Sequence, residues 1–374
     1  MSNSKMKYDL PIPEDLISDH ILPRLPVRSL IRFKSVCKSW LRVISSPSFV
    51  KSHLLQSLSS RTCFFVRGLP ISKDIPIRTA PTYCYLYYSK NNENKLVPLD
   101  VQREFQLDLE YGRKSVVGSC NGLICFYGDG GTSVKGKFIL WNPATKSSRF
   151  IETPCVEHIA KYGFGYASDI DDYLIFASFQ SVYMKPIESQ IQAWVFKVSG
   201  GEWNPVNDLP TDIGFYPTGV TNAIYSGDHL YWIDGDWKDS RLLSFCLSDY
   251  KFKDVKFPVG NHLRFKLHVS EGSLTLLSDS DRSPSKDLWR LVQHPSVECN
   301  SWVCIMTITR LFPRILAFSP TGKCLVQDYE ETLKVLDYVS AEHRQVEGVY
   351  FDDYPIHAES HIESLVSPFD RLNV

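Results

Sequence analysis

No run of this 374-residue chain approaches the roughly 20 consecutive apolar residues that cross a bilayer. The opening MSNSKMKYDL has no apolar core of signal-peptide length. The ten cysteines are scattered, with no Cys-x-x-Cys, and the glycan acceptor pattern Asn-x-Ser/Thr is missing. These absences argue against a membrane protein and a disulfide framework. They predict free, buried thiols in a reducing compartment, cytoplasm or nucleus. An excess of one charge is also missing, since 41 Lys+Arg stand against 42 Asp+Glu. That leaves no basic footprint for nucleic acid. Nor is there a His-Glu-x-x-His, a Gly-x-Ser-x-Gly, a zinc-type cysteine pairing or a histidine at ligand spacing from a cysteine. The expectation is no catalytic residue, no metal and no cofactor.

What the chain does have begins at Ile12–Leu54, IPEDLISDHILPRLPVRSLIRFKSVCKSWLRVISSPSFVKSHL. Pro13 suits the first position of a helix, and Glu14 and Asp15 complement its dipole. Leu16, Ile17 and Ile21 follow at near-helical spacing, and Pro23 and Pro26 stop the run. A second helix is predicted from Arg28 through Val36. A third holds Cys37, Trp40, Leu41 and Ile44, with Pro47 ending it, and Phe49, Val50 and Leu54 suggest a last short one. Helices this short are not stable alone. Three of them cannot easily hide so many Leu, Ile, Val, Phe and Trp side chains. Two readings stay open: a surface kept for a partner, or a helical cap packed on the rest of the chain. Residues 1–60 carry 9 Lys+Arg and 4 Asp+Glu, and the remainder 32 and 38, so a mildly basic module precedes a mildly acidic body. Arg28, Arg32, Lys34, Lys38 and Arg42 read more simply as a solvated helix face than as a phosphate site.

The runs IPEDLI, ILPRLPVRSLIRFKSVCKSW and ISSPSF resemble the F-box of plant F-box proteins nearly without gaps. His20 is a local departure, where the family often has a carboxylate or small polar residue. The resemblance implies docking on a Skp-type adaptor, and through it on a cullin. Carried over by position, the adaptor-binding or core positions are Pro13, Leu16, Ile17, Ile21, Leu22, Leu25, Pro26, Leu30, Val36, Cys37, Lys38 and Trp40.

After Leu58 the texture changes to short runs rich in Tyr, Phe, Trp, Val and Ile, broken by Gly, Pro, Asn and Asp. The 13% aromatic content suits strands. A strand–turn–strand unit recurs around Tyr87, Trp141, Phe196, Phe245, Leu291 and Leu336, at separations of 54, 55, 49, 46 and 45 residues. A period near 50 is that of a kelch-like propeller blade. The predicted fold is an all-α module of three to four short helices followed by an all-β propeller of about six blades. A pair of β-sandwiches is the alternative. The expected domains are 8–55, 56–114 as linker and first blade, and 115–370. HIESLVSPF (361–369) is expected to supply a strand that completes an early blade.

VGSCNGLICFYG (117–128), ILWNPATKSSRF (139–150) and ESLVSP (363–368) are similar to the F-box-associated domain of the same plant family. Asn121-Gly122 suits a tight turn between strands, and Asn142-Pro143 initiates a turn. What this resemblance implies is a non-catalytic, substrate-recruiting subunit of a Skp–cullin–F-box ubiquitin ligase. Its partners would be the adaptor, a cullin and an unidentified protein substrate, with neither nucleic acid nor membrane. Family members serve in self-incompatibility and in defence, and the resemblance does not choose between them. Two rivals remain: a non-proteolytic scaffold, and an enzyme with its site in a central channel.

Gly131-x-x-x-x-Gly136-Lys137 copies most of a phosphate loop, but Phe138 stands where the metal-binding hydroxyl belongs. Acidic clusters are better candidates for a target surface. Three of them, Asp169, Asp171 and Asp172, then Asp234, Asp236 and Asp239, then Asp279 and Asp281, would form a negative patch if several share one propeller face. Tyr216, Trp232 and Trp237 would be its exposed aromatic anchors.

Overall fold

The aromatic-rich runs form six antiparallel meanders, arranged as the blades of a six-bladed β-propeller. The computed structural model describes residues 14–58, 63–68, 83–90, 93–99, 114–128, 135–155, 158–180, 191–210, 221–235, 240–259, 264–279, 285–292, 301–309, 314–319, 322–328, 330, 332–337, 343–346 and 357–369. Blade 2 shows the pattern: Lys114–Cys120 innermost, then Leu123–Gly128, Lys137–Asn142 and Ser147–Glu152 outermost. Blade 3 starts at His158, blade 4 at Ile224, blade 5 at Arg264 and blade 6 at Arg314. Blade 3 gains a fifth strand, Thr221–Asn222, which runs parallel to its innermost strand. All six repeat anchors, from Tyr87 to Leu336, fall on the third strand of their blades.

Blade 1 lacks an innermost strand of its own. Cys63–Gly68, Tyr83–Lys90 and Glu93–Leu99 supply three, and His357–Ser360 pairs with Cys63–Gly68 to make the fourth. This closing strand lies just ahead of the predicted segment. Residues 361–367 form no strand and instead run as a strap toward the helices. His361 N–H donates to Cys63 O at 2.9 Å, so the strap leaves directly from the closing pair.

Buried apolar side chains gather at the six seams between neighbouring blades. Strand Leu123–Gly128 shows why its sequence reads as an unbroken apolar run. Leu123, Cys125 and Tyr127 enter the seam with blade 3, and Ile124 and Phe126 the seam with blade 1. Both faces of the strand are covered, so no polar alternation survives. Trp141, fully buried between blades 1 and 2, packs 6.2 Å from Phe126. Tight turns join the first two strands of several blades. Asn121-Gly122 has φ of 51° and 85°, the positive pair that such hairpin turns require.

The N-terminal module is helical. α1 (Glu14–Leu16) runs on as a π-helical turn, Ile17–Ile21, and a 3-10 turn, Leu22–Arg24, that contains Pro23. α2 (Val27–Phe33), α3 (Lys38–Ser45) and α4 (Pro47–Leu58) follow. α4 has 12 residues and is not the short helix expected. Pro47 opens it at the first position, where a missing N–H costs nothing. The Ser46 hydroxyl caps it by accepting from Phe49 N–H at 3.3 Å. Cys37 caps α3, its Sγ accepting from Trp40 N–H at 3.4 Å. The His53 ring donates Nε2–H to the Leu25 carbonyl at 2.9 Å, tying α4 to the turn before α2.

The nine described cysteines are free thiols. Five are buried, whereas Cys37 and Cys304 are exposed, contrary to the expectation of burial throughout.

Closure by a four-residue strand predicts a sharp truncation effect. A chain ending before His357 should lose its cooperative transition in urea, while one ending after Phe369 keeps it. Equilibrium unfolding followed by tryptophan fluorescence makes the comparison.

Candidate functional site

The helical module has two faces of opposite character. Leu22, Val27, Leu30, Ile44, Phe49, Val50 and Leu54 are buried in a core continuous with the seam between blades 2 and 3. Leu16, Ile21, Val36 and Leu41 are exposed, Val36 by 60%. With Leu55, this short module holds five of the nine exposed large apolar side chains among the described residues.

The predicted adaptor-side residues therefore divide. Leu22 and Leu30 are interior and shape the module from within. Ile17, Leu25, Pro26 and Trp40 are half-buried. Leu16, Ile21, Val36, Cys37 and Lys38 reach solvent. Pro13 lies outside the described residues. Leu41 is a position the family pattern missed. It follows Cys37 and Lys38 by four and three residues on α3, so it shares their face. The spacing is readable in the sequence, but the half-buried Trp40 beside it draws attention away.

The module is joined to the propeller by more than apolar packing. Arg28 Nε meets Glu363 Oε1 at 3.3 Å, and Lys51 Nζ meets Asp171 Oδ1 at 3.7 Å. Between the helices and the propeller lies a cavity of about 230 Å³, lined by Leu25, Val27, His53 and Ser57 from the helices and by Cys63, His361 and Ile362 from the propeller. Burial lowers His361 to about 4, so its imidazole is neutral at pH 7.

The acidic and aromatic candidates on the propeller do not assemble as expected. Trp232 is fully buried in the seam of blades 3 and 4, 5.3 Å from Phe176, with Nε1–H donated to Tyr162 O at 3.2 Å. Asp234 is buried against Lys161 Nζ at 2.6 Å and Arg241 Nη2 at 3.3 Å. Asp172 is buried and accepts from Ser199 N–H at 3.1 Å and Ser199 O–H at 2.5 Å. None of these three is placed to touch a target. Asp234 finds its partners 73 and 7 residues away and Asp172 its partner 27 residues away, so neither acid shows its partner in the turn around it. Asp171 is engaged by Lys51 of the helical module, and Asp169 is exposed. Tyr216, Asp236, Trp237, Asp239 and Asp281 lie outside the described residues, as does Gly131 of the phosphate-loop match. Lys137 of that match opens a strand. Among the described residues, no group of three or more His, Cys, Asp or Glu side chains could hold a metal ion.

A small helical module with an apolar outer face, mounted on a six-bladed ring, matches two family models in chain order. An F-box domain covers residues 10–52 and an F-box associated beta propeller domain residues 84–364. The chain belongs to the F-box proteins with an F-box-associated β-propeller. Among curated relatives, F-box/kelch-repeat protein At3g23880 of Arabidopsis thaliana is 29% identical over 67% of this chain. The match covers 66% of that relative, so the chain spans just under two thirds of its length. F-box protein CPR1, also of Arabidopsis thaliana, is 22% identical over 95% of this chain and 88% of its own length. Among solved structures, TolB from Acinetobacter baumannii matches with 10% identity over 84% of this chain and 70% of that chain, at a TM-score of 0.46. No helix of the F-box or propeller among the described residues is long and apolar enough to cross a membrane.

The neutral His361 beneath the F-box sets a pH dependence. Its folded value of about 4 lies below the ordinary 6.5, so unfolded chains bind the extra proton. The stability tied to this group is complete above about pH 6.5 and is lost as pH falls toward about 4, by as much as about 3 kcal/mol. His268, also held neutral by burial, acts in the same direction. The melting temperature should fall on acidification, and a His361→Gln variant should show a shallower fall.

Proposed function

We propose that this chain is the substrate-recognition subunit of a Skp–cullin–F-box ubiquitin ligase. The observation that carries the reading is the concentration of exposed apolar side chains on the outer side of an F-box whose inner side is already packed. A packed helical cap has no use for Leu16, Ile21, Val36 and Leu41 in water. An adaptor groove does, since exposed apolar side chains concentrated on one small module mark an interaction site. In this assignment Leu16, Ile21, Val36, Leu41 and the half-buried Ile17, Leu25, Pro26 and Trp40 meet the adaptor. Cys37 and Lys38 border the contact, and Leu22 and Leu30 hold the helices that present it.

The propeller holds the target protein. The subunit works by proximity: it holds target lysines near a ubiquitin-charged enzyme and raises their effective concentration. The chain itself carries out no bond-making step. The complex acts where adaptor and cullin are found, in the cytoplasm or nucleus.

The test uses the purified chain with a recombinant Skp-type adaptor bound to a cullin. Burying one leucine is worth about 1.5–3 kcal/mol. A Leu16→Ala, Leu41→Ala double variant should therefore bind about 100-fold or more weakly. Both side chains are exposed, so its melting temperature should stay that of wild type. Wild-type affinity in the folded variant would refute the docking assignment. Reconstitution with a ubiquitin-conjugating enzyme then separates ligase from scaffold, because only the ligase modifies a protein that the propeller retains.

A further inference from the structure

The three runs that most resemble the F-box-associated family meet at one place, although they lie far apart in sequence. They are SCNGL (119–123), NPAT (142–145) and ESLVSP (363–368). Asn142 is fully buried at the end of the third strand of blade 2. Its Nδ2 donates to Ser364 O at 3.0 Å and to Val366 O at 2.7 Å. Its Oδ1 accepts from Ala144 N–H at 2.9 Å and Thr145 N–H at 3.3 Å, so the amide is satisfied at both ends. Ser364 Oγ–H donates to Asn121 O at 2.7 Å. Gly122, at φ 85°, sits so close that an added Cβ would collide with Ser364 Oγ and with Ile362 O. Ser119 Oγ lies 3.1 Å from His361 Nδ1.

One side of the strap is thus fastened to blade 2 by a buried amide and a tight turn. Its other side carries the F-box. Leu365 and Val366 lie in the same core as Leu22, Val27 and Leu30, and Glu363 receives Arg28. The cavity beside His361 and Ile362 leaves the joint without continuous packing there. Arg28 is more than half exposed although Glu363 is largely buried, so this single ion pair is screened on one side and adds only modestly to the joint. The buried clamps on the strap remain as the rigid link.

We propose that residues 361–367 are a positioning strap that fixes the angle of the F-box on the propeller, with Asn142 and Ser364 as its anchoring residues. Under the ligase reading, on which this consequence rests, the strap sets the distance from the bound adaptor to the target. The three family runs are then explained by one joint, and not by three separate contacts with target.

The experiment uses the full chain with fluorophores introduced as noncanonical amino acids at Ser35 on the F-box and Glu152 on blade 2. Single-molecule energy transfer reads the distance distribution. Wild type should give one narrow peak. Asn142→Ala and Ser364→Ala should broaden it, and Glu363→Ala should leave it narrow. Ser364→Ala removes only one hydroxyl and keeps the question answerable if the buried Asn142→Ala variant fails to fold. A narrow, unshifted peak in the folded Ser364→Ala and Asn142→Ala variants overturns the proposal. In a reconstituted complex, self-ubiquitination mapped by mass spectrometry should spread from a few propeller lysines to many in the anchoring variants, with adaptor affinity within about twofold of wild type. An unchanged map alongside a broadened peak would reject the consequence for transfer. The distance measurement needs no adaptor, so a chain that binds none would sink the ligase reading without touching the strap.

Discussion

The architecture depends on four residues at the far end of the chain. His357–Ser360 add the innermost strand to a blade begun at Cys63, and without them blade 1 has no strand to line the ring. Each blade buries its two faces only against neighbours, so an open ring exposes two apolar faces at once. The same pairing decides the course of the strap, because His361 follows the closing strand and is hydrogen-bonded to Cys63 O. Closure of the propeller and seating of the F-box are therefore one event in the chain, although the two elements lie at opposite ends of the sequence.

The seam between blades 2 and 3 differs from the other five in being continued outward by another module. Its apolar side chains run on through Leu365 and Val366 into Leu22, Val27 and Leu30. A unit of roughly 40 residues is near the lower limit for an independent core. By sharing a core with the propeller, the F-box can leave several apolar side chains in water and still hold its shape. The two readings open from the sequence, a partner surface and a packed cap, describe opposite sides of one object.

Legibility followed the range of the interaction concerned. The blade period could be read because each unit repeats its own turn chemistry and apolar strands, and the anchors at Tyr87, Trp141 and Phe245 all fall on third strands. Asn121-Gly122 announced its turn through local backbone preference. Pro47 was ambiguous, since the same residue ends one helix and begins the next, and only the Ser46 cap resolves it. Trp232 and Asp234 misled for a different reason. An aromatic and an acid in a turn-rich run look solvated until Tyr162, Phe176 and Lys161 arrive from another blade.

By itself the sequence determined the elements: helices from spacing and proline placement, strands from aromatic and branched residues, turns from Asn-Gly and Asn-Pro, and the order of an F-box before a propeller. Those properties are written into neighbours a few residues apart, where backbone sterics and local hydrogen bonds decide. Only the tertiary structure decided which strand closes the ring, which helical face is left in water, and that Asn142, Asn121 and Ser364 form one joint. These depend on contacts between residues hundreds of positions apart, 243 for Asn121 and Ser364 and 335 for Arg28 and Glu363. Burial and hydrogen-bond satisfaction at such range belong to the pair, and neither member of the pair carries a sign of it alone.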